Sequence, residues 1–144
     1  MVYGTMKKGL LTLSLLMTTS LSAFADNLSA IDVLKKNANW DLVQPGTMCV
    51  EEYRFLSEGR VSIASNQERV TGSYSFITGT DTFGLPAVVI SFETDNQQPD
   101  CMGNNANQAG TASTNFLKIE SAQKIYFCLD AMGKSCPVYL KPVR

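Results

Sequence analysis

From Thr47 onward, apolar and polar side chains alternate along much of the chain, and this period of two predicts β-strands. One hairpin is fixed by its turn, because Ser57-Glu58-Gly59 fits a three-residue loop with glycine in the left-handed position. Directly opposed residues of a hairpin share one face of the sheet. The turn pairs Tyr53 with Ile63 and Phe55 with Val61. The alternation independently places these four apolar side chains on one face, so the two predictions agree.

Two further turns near the C-terminus predict two more strand pairings. A loop at Ser121-Ala122-Gln123 pairs Ile119 with Ile125 and Leu117 with Phe127, which again places only apolar residues on one face. A loop at Ala131-Met132-Gly133, with glycine in the last position, pairs Asp130 with Lys134 and Cys128 with Cys136.

Two strands lie between these hairpins, and a short helix precedes them all. Asn27 to Asn37 is predicted to be helical, with Asn27 or Ser29 as its cap and a narrow apolar stripe. Six strands are clear, and the residues near Trp40 offer a seventh. The sequence predicts a mainly β fold: a small antiparallel meander of six to seven strands, closed as a barrel or a twisted sandwich, with one short N-terminal helix. The side chains expected to point inward from the two middle strands are Val70, Gly72, Tyr74 and Phe76 on one, and Val88, Ile90, Phe92 and Thr94 on the other.

The N-terminal segment has the pattern of a secretory signal peptide. Met6-Lys7-Lys8 is a short positive region, an uncharged Leu-rich run follows it, and Ala23-Phe24-Ala25 gives a small-x-small cleavage pattern. Thr and Ser residues interrupt the apolar run well before the roughly 20 residues that a membrane-spanning helix needs. We therefore expect residues 1–25 to be removed after Ala25. A single domain, residues 26–144, would then be periplasmic or secreted, with no membrane insertion.

Charge and composition exclude several classes of function. Removing Lys7 and Lys8 from the 12 basic and 13 acidic residues leaves ten against thirteen, a net charge of −3. No basic cluster stands out, so nucleic acid is not an expected partner. The chain has no His, the commonest general base and zinc ligand. Ser121-x-x-Lys124 matches a catalytic pattern only by letter, across a predicted exposed turn. We expect a protein that is not an enzyme and holds no cofactor and no metal.

The four cysteines all lie in the predicted mature domain, where an even number indicates two disulfides. Three connectivities are possible for four cysteines. The hairpin register favours Cys128–Cys136, because directly opposed cysteines of an antiparallel pair come close enough to bridge. Elimination then gives Cys49–Cys101.

A run of motifs in the first half of the domain resembles the small bacterial lipocalin-like proteins. The run is Tyr53-x-Phe55, Gly59, Glu68 and Gly72-x-Tyr74, which is similar to the aromatic strand, turn, strand and G-x-Y strand at the opening of that family. Trp40 and the terminal Arg144 resemble the Trp–Arg pair of lipocalins. The resemblance implies an exported β-barrel that carries a small apolar ligand.

Five residues are candidates for binding. Glu51 falls opposite Ser65 on the inward face. Its carboxylate either binds a ligand or is solvated at the water-filled end of the barrel. Asp95 and Asp100 belong to a polar stretch that runs to Ser113, either a binding loop or a slack connection. Their oxygens would suit Ca²⁺, but their spacing matches no calcium loop. Phe116 and Tyr126 fall on the outward face near Cys128. They either form an exposed aromatic interface or are covered by the N-terminal helix.

Two functions remain, and the predicted interior decides between them. One is a protein-binding domain, such as an inhibitor, an immunity protein or an envelope accessory protein, with a protein partner in the cell envelope. The alternative is a lipocalin-like carrier. A barrel of about eight strands has an interior only just filled by side chains, so the predicted inward aromatic rings leave no ligand-sized cavity and favour the protein binder. Those rings belong to Tyr53, Phe55, Tyr74, Phe76, Phe92, Phe127 and Tyr139.

Overall fold

The computed structural model of the chain describes residues 29–79 and 84–144. The predicted signal peptide and its cleavage site after Ala25 lie outside these residues, as do Asn27 and Leu28 of the predicted helix. Within the described residues, no helix has the length and the apolar character needed to cross a membrane.

The structure is a closed antiparallel barrel of eight strands in which each strand pairs with its neighbours in the sequence and the last strand pairs with the first. A short helix, α1 (Ala30–Lys36), precedes the barrel. The mainly β class and the meander order are as predicted, but six to seven strands is too few. The closing strands β1 and β8 have five residues each and contain Asn, Asp, Lys or Pro, which weaken the alternation. The strands are β1 (Asn39–Val43), β2 (Val50–Phe55), β3 (Arg60–Ser65), β4 (Glu68–Ile77), β5 (Ala87–Asp95), β6 (Ala112–Ser121), β7 (Lys124–Cys128) and β8 (Val138–Pro142).

Helix α1 contributes to the same apolar core as the barrel. Its cap is Ser29, whose hydroxyl accepts a hydrogen bond from the Asp32 amide at 3.4 Å. Val33 and Leu34 are buried in the core cluster together with Trp40 of β1. The Trp40 indole donates to the carbonyl oxygens of Leu34 at 3.3 Å and Asn37 at 2.9 Å, which ties the end of the helix to the first strand.

Two of the three predicted hairpin registers are confirmed. Tyr53 pairs with Ile63 and Phe55 with Val61 in the first hairpin, and Gly59 in its turn has a φ of 70°. In the β6–β7 hairpin, Leu117 pairs with Phe127 and Ile119 with Ile125. The predicted loop at Ser121-Ala122-Gln123 is wrong, because the register shifts between Ile119 and Ser121, so that Ser121 pairs with Lys124. Alternation therefore places these four strands correctly, and the turn chemistry is correct for the first hairpin.

A β-bulge in β5 overturns one predicted orientation. Thr71 pairs with Thr94, whereas the next residue of β4, Gly72, pairs with Phe92, so that Glu93 is the extra residue. The bulge reverses the faces beyond Phe92. Thr94 therefore points outward, where its hydroxyl hydrogen-bonds that of Thr71, and the prediction that it points inward is wrong. Asp95 takes the inward position opposite Val70.

The predicted inward position of Tyr139 is also wrong. Cys128 and Cys136 are bonded as predicted, but Phe127 pairs with Val138, so the chain between the disulfide and β8 contains one residue more than the hairpin register allows. That residue is Pro137, which has no amide hydrogen for the ladder. A shift of one residue moves every side chain to the other face. Tyr139 consequently lies on the outer surface.

Five of the other six predicted inward rings form a continuous series of contacts in the interior, whereas Phe92 lines a small cavity at one end of the barrel. Tyr53 lies between Phe55 and Phe127, with ring centroids 6.3 and 6.1 Å apart, and Phe55 packs edge-on against Tyr74 at 5.1 Å. Tyr74 continues the series to Phe76 at 5.7 Å. These separations are those of favourable aromatic pairs. Aromatic side chains therefore fill the middle of the barrel.

Candidate functional site

One end of the barrel collects carboxylates from three strands and a loop. The Cys49–Cys101 disulfide, formed as predicted, ties the connection before β2 to the polar loop of residues 96–111. Beneath it, Ser65 is fully buried, and its hydroxyl accepts a hydrogen bond from the Cys101 amide at 3.0 Å. We call this end, with Glu51, Glu68, Asp95 and Asp100, the acidic mouth.

Glu51 points into the acidic mouth from β2, as the hairpin register predicts, and it is half-buried. Burial raises the pKa of the Glu51 carboxyl above its usual value, repulsion by Asp100 adds to the rise, and a hydrogen bond with Ser65 opposes it. The carboxylate is therefore held in a partly desolvated position with one polar partner.

Glu68 is the most buried carboxylate of the mouth, with an exposed fraction of 3 %. Its carboxylate accepts a hydrogen bond from the side-chain amide of Gln108 at 3.2 Å. Burial raises the pKa of Glu68, and repulsion by Asp95 is the next largest cause. Glu68 is not among the predicted binding residues, although it lies two residues before Val70 and alternation therefore places both side chains on the inward face.

Asp95 and Asp100 hold the 96–111 loop in place. Asp95 accepts hydrogen bonds from the backbone amides of Gln97 at 2.7 Å and Gln108 at 2.9 Å. Asp100 accepts from the amides of Met102 and Asn104, both at 2.8 Å. Both carboxylates thus bind the protein's own backbone, and the long polar stretch is an ordered loop over the mouth.

A small cavity of about 160 Å³ opens at the acidic mouth. Burial raises the pKa of Tyr53 well above its usual value, and repulsion by Glu51 and Glu68 acts in the same direction, so its hydroxyl stays protonated. Among residues 29–79 and 84–144, no three acidic or cysteine side chains are grouped so that they could hold a metal ion. The cavity is lined by Glu51, Tyr53, Ile63, Glu68, Val70, Phe92, Asp100 and Gln108.

A second concave region lies on the outer surface, between the loop closed by the Cys128–Cys136 disulfide and the strands β6 and β7. We call it the lysine groove. It has a volume of about 420 Å³. Its loop wall is held by hydrogen bonds from the Leu85 amide to the Ala131 carbonyl at 2.8 Å and from Lys118 Nζ to the Gly133 carbonyl at 3.3 Å. The groove is lined by Lys118, Ile119, Glu120, Tyr126, Gly133, Lys134 and Cys136.

Tyr126 forms part of this groove and of an aromatic pair beside it. Its ring packs edge-on against Tyr139 of β8, with centroids 5.9 Å apart. Lys124 Nζ lies 5.0 Å from the centroid of Tyr126 and 4.5 Å from that of Tyr139, and it forms an ion pair with Glu120 at 3.4 Å. The tyrosine pair and its lysine follow from the displaced register of β8, which alternation alone does not reveal.

Phe116 lies on the same outer face but does not line the groove. It is half-buried, and its strand partners Ala87 and Cys128 are buried. The outward direction predicted for Phe116 and Tyr126 is correct, but both rings are half-buried rather than exposed.

The structure therefore divides four of the five predicted binding residues between two places, and Phe116 belongs to neither. Glu51, Asp95 and Asp100 meet at the acidic mouth, together with Glu68 and Gln108, which the sequence analysis did not single out. Tyr126 belongs to the lysine groove with Lys118, Lys134 and the adjacent Lys124 and Tyr139, none of which was predicted as a site residue.

Comparisons of this chain with protein-family models, with curated proteins and with solved structures gave no match.

Proposed function

We propose that this chain is an exported, non-catalytic domain that binds a protein partner in the cell envelope. The observation that carries the proposal is the filled interior of the barrel. Tyr53, Phe55, Tyr74, Phe76 and Phe127 occupy the space in which a lipocalin-like protein would hold an apolar ligand, and their rings contact one another.

The remaining internal space does not suit an apolar ligand. The cavity at the acidic mouth has about 160 Å³, below the 300–1,000 Å³ typical of small-molecule sites. Three carboxylates and an amide line it, and burying apolar surface against such groups without hydrogen bonds is unfavourable. Ligand transport through the interior is accordingly the weaker interpretation.

The acidic mouth is better explained as support for the fold than as a catalytic site. Asp95 and Asp100 each accept two backbone hydrogen bonds from the loop, and Glu68 binds Gln108. A catalytic carboxylate needs access to a substrate proton or a reacting atom. These groups are committed to closing a loop over the barrel end.

Two features favour recognition of a partner at the surface of an exported domain. Two disulfides, as formed here, are typical of small domains in oxidising compartments. Large apolar side chains are also exposed on the disulfide-linked loops, where they are available for apolar contacts with a partner. These side chains belong to Met48, Met102, Leu129 and Met132.

A carrier function is the second candidate, favoured by the number and order of the strands. Eight antiparallel strands in meander order form the closed barrel, and lipocalins share that arrangement. The two functions differ in what they require of the interior, so one pair of binding measurements separates them.

The first measurement titrates the purified domain, residues 26–144, with a fluorescent apolar probe, 1-N-phenylnaphthylamine. We expect no saturable binding by the native domain. The variant Phe92→Ala is the matched control, because removing that ring extends the cavity at the mouth and should allow the probe to bind. Saturable one-to-one binding by the native domain would establish the carrier function instead.

The second measurement identifies a partner by affinity capture from envelope extract of the source organism and rebuilds the complex from purified components. We expect a complex of fixed stoichiometry that survives size-exclusion chromatography. Failure of every captured protein to form such a complex would contradict the protein-binding proposal.

A further inference from the structure

We propose that the lysine groove is the docking surface for an acidic segment of a partner protein, which extends the proposed function by specifying the surface and the partner's chemistry. The segment would place a carboxylate-bearing side chain between Lys118 and Lys134. Its neighbouring apolar side chain would lie against Tyr126 and the exposed face of the disulfide loop.

Charge is the first argument, because the groove is basic on a domain whose predicted mature form is acidic. Lys118 and Lys134 line it together with one acidic residue, Glu120, whose charge is paired with that of Lys124 beside the groove. Within the described parts of the chain, the one ion pair among these three lysines is that of Lys124 with Glu120. Apart from the hydrogen bond that Lys118 Nζ donates to the Gly133 carbonyl, the ammonium groups of Lys118 and Lys134 are therefore available to a carboxylate from outside.

The carboxylate of Asp130, which belongs to the loop wall itself, is already engaged. It accepts hydrogen bonds from the backbone amides of Met132, Lys134 and Ser135 at 2.8–3.1 Å. Those hydrogen bonds hold the pKa of Asp130 below its usual value. Asp130 therefore shapes the loop from within and does not replace an incoming carboxylate.

Rigidity is the second argument. The loop wall is closed by the Cys128–Cys136 disulfide, fixed by Asp130 and joined to Leu85 through Ala131. Gly133 fits closely against its surroundings, since a Cβ at this position would lie 2.9 Å from Leu85 Cδ1. A preformed wall lowers the entropy lost when a partner binds.

Side-chain chemistry is the third argument. Tyr126 and Tyr139 are mutually packed, and tyrosines are enriched among residues that dominate binding energy. On the same loop, Leu129 and Met132 have exposed fractions of 71 and 70 %. The groove therefore combines an aromatic ring, two lysines and nearby exposed apolar side chains. This combination fits a peptide that carries both acidic and apolar residues.

A protein segment fits these observations better than other polyanions do. Nucleic acid binding generally requires several phosphate contacts by basic side chains along an extended path. Here only three of the ten basic side chains of residues 26–144 lie at or beside the groove, and the acidic mouth occupies one end of the same small barrel. An extended nucleic acid or an anionic membrane would meet the acidic regions as well, whereas a short peptide segment would not.

The test uses ¹⁵N-labelled domain and a capped hexapeptide of alternating Glu and Phe, with the same peptide carrying Gln in place of Glu as its control. We expect saturable NMR shifts confined to residues 118–126 and 129–136, with a dissociation constant of about 1 mM or lower. The Gln peptide should bind about tenfold more weakly, and added salt should weaken only the Glu peptide.

Variants of the chain complete the design. The double variant Lys118→Glu with Lys134→Glu should abolish the shifts. The single variant Lys134→Glu should reduce binding about tenfold. It removes no hydrogen bond made by the side chain of Lys134. Lys36→Glu is the matched control, because it reverses a charge on the exposed face of α1 and should leave binding unchanged. Retained dispersion of the amide spectrum verifies that each variant folds.

Several outcomes would overturn the inference: absent shifts, equal binding of the Gln peptide, or shifts clustered around Met48 and Met102 at the acidic mouth. Lysine-dependent cosedimentation with phosphatidylglycerol vesicles would also overturn it, in favour of a membrane surface. A captured partner whose complex is unaffected by Lys118→Glu with Lys134→Glu would refute the groove but leave the protein-binding function standing.

Discussion

The side-chain amide of Gln108 donates a hydrogen bond to the carboxylate of Glu68 at 3.2 Å, across forty residues of sequence. Gln108 belongs to the loop that covers the acidic mouth, and Glu68 begins β4 beneath it. The contact satisfies a carboxylate that is almost completely buried and fixes the far end of a long polar connection. Stability and loop closure are therefore linked at this pair.

Glu68→Gln should stabilise the domain at neutral pH. The folded-state pKa of Glu68 lies above its ordinary value of 4.5, so the folded state binds more protons than the unfolded state just above that pH. The contribution of this group to stability is then lost as pH rises through the raised pKa. Glutamine keeps an oxygen that accepts from Gln108 but removes the charge.

At pH 7, we expect the free energy of unfolding of Glu68→Gln to be about 1 kcal/mol higher than that of the native domain. Between mildly acidic and neutral pH, the free energy of unfolding should also decrease less in the variant than in the native domain. Urea unfolding at several pH values measures both. Glu52→Gln is the matched control, because Glu52 is on the outer face and its ion pair with Arg54 is exposed. An equal loss of stability at every pH for Glu68→Gln would contradict this account.

Gly72→Ala should severely destabilise the barrel at the β4–β5 bulge. A Cβ at this position would overlap the backbone carbonyl oxygen of Ser91, which cannot move without disturbing the ladder. We expect a loss of at least about 3 kcal/mol in urea unfolding, or failure to fold. Ser75→Ala, on the exposed face of the same strand, should change stability by less than about 0.5 kcal/mol. Equal stability of the two variants would show that β5 can shift freely.

The same bulge explains much of what sequence analysis could and could not predict here. Alternation and the Ser57-Glu58-Gly59 turn fix the first hairpin because both depend on local chemistry. The extra residue at Glu93 has no such local signal, and it sends Asp95 inward and Thr94 outward. Pro137 has the same effect before β8 and moves Tyr139 outside.

The candidate sites follow the same division. Glu51 could be placed in the acidic mouth because it lies within the predicted hairpin, and both disulfides followed from one turn and elimination. Gln108 could not be placed there from the sequence, because the path of a loop over the barrel end depends on side-chain contacts with residues distant in sequence. The lysine groove likewise depends on how the disulfide loop folds back over β6, which strand periodicity does not encode.

Asp130→Asn should loosen the loop that forms one wall of the lysine groove. The carboxylate accepts three backbone amide hydrogens, and charge strengthens such hydrogen bonds. We expect faster hydrogen exchange at the amides of Lys134 and Ser135 in the variant. Because the folded-state pKa of Asp130 is lowered, its contribution is present above the unfolded value of 3.8 and lost as pH falls through the folded pKa. Native protein should therefore show the same faster exchange, relative to the intrinsic rate, in strong acid.

Asp41→Asn is the comparison for that experiment, because Asp41 lies on the outer face of β1 and has no part in the loop. Exchange at Lys134 and Ser135 should be unchanged in Asp41→Asn. Unchanged protection in Asp130→Asn as well would mean that the disulfide alone orders the loop.

Removal of each disulfide in turn should separate global stability from the shape of the groove. In the chain-entropy treatment, the Cys49–Cys101 and Cys128–Cys136 bonds contribute about 4 and 2.6 kcal/mol, because they close loops with sequence separations of 52 and 8. Cys49→Ala with Cys101→Ala should therefore lower the free energy of unfolding more than Cys128→Ala with Cys136→Ala. Binding of the Glu–Phe peptide should follow the opposite order, since only the second pair closes the groove wall. Urea unfolding and peptide titration of both variants, at a temperature where each remains folded, measure the two effects. If the variant lacking Cys128–Cys136 binds the peptide as tightly as the native domain, the preformed loop is not what recognises the segment.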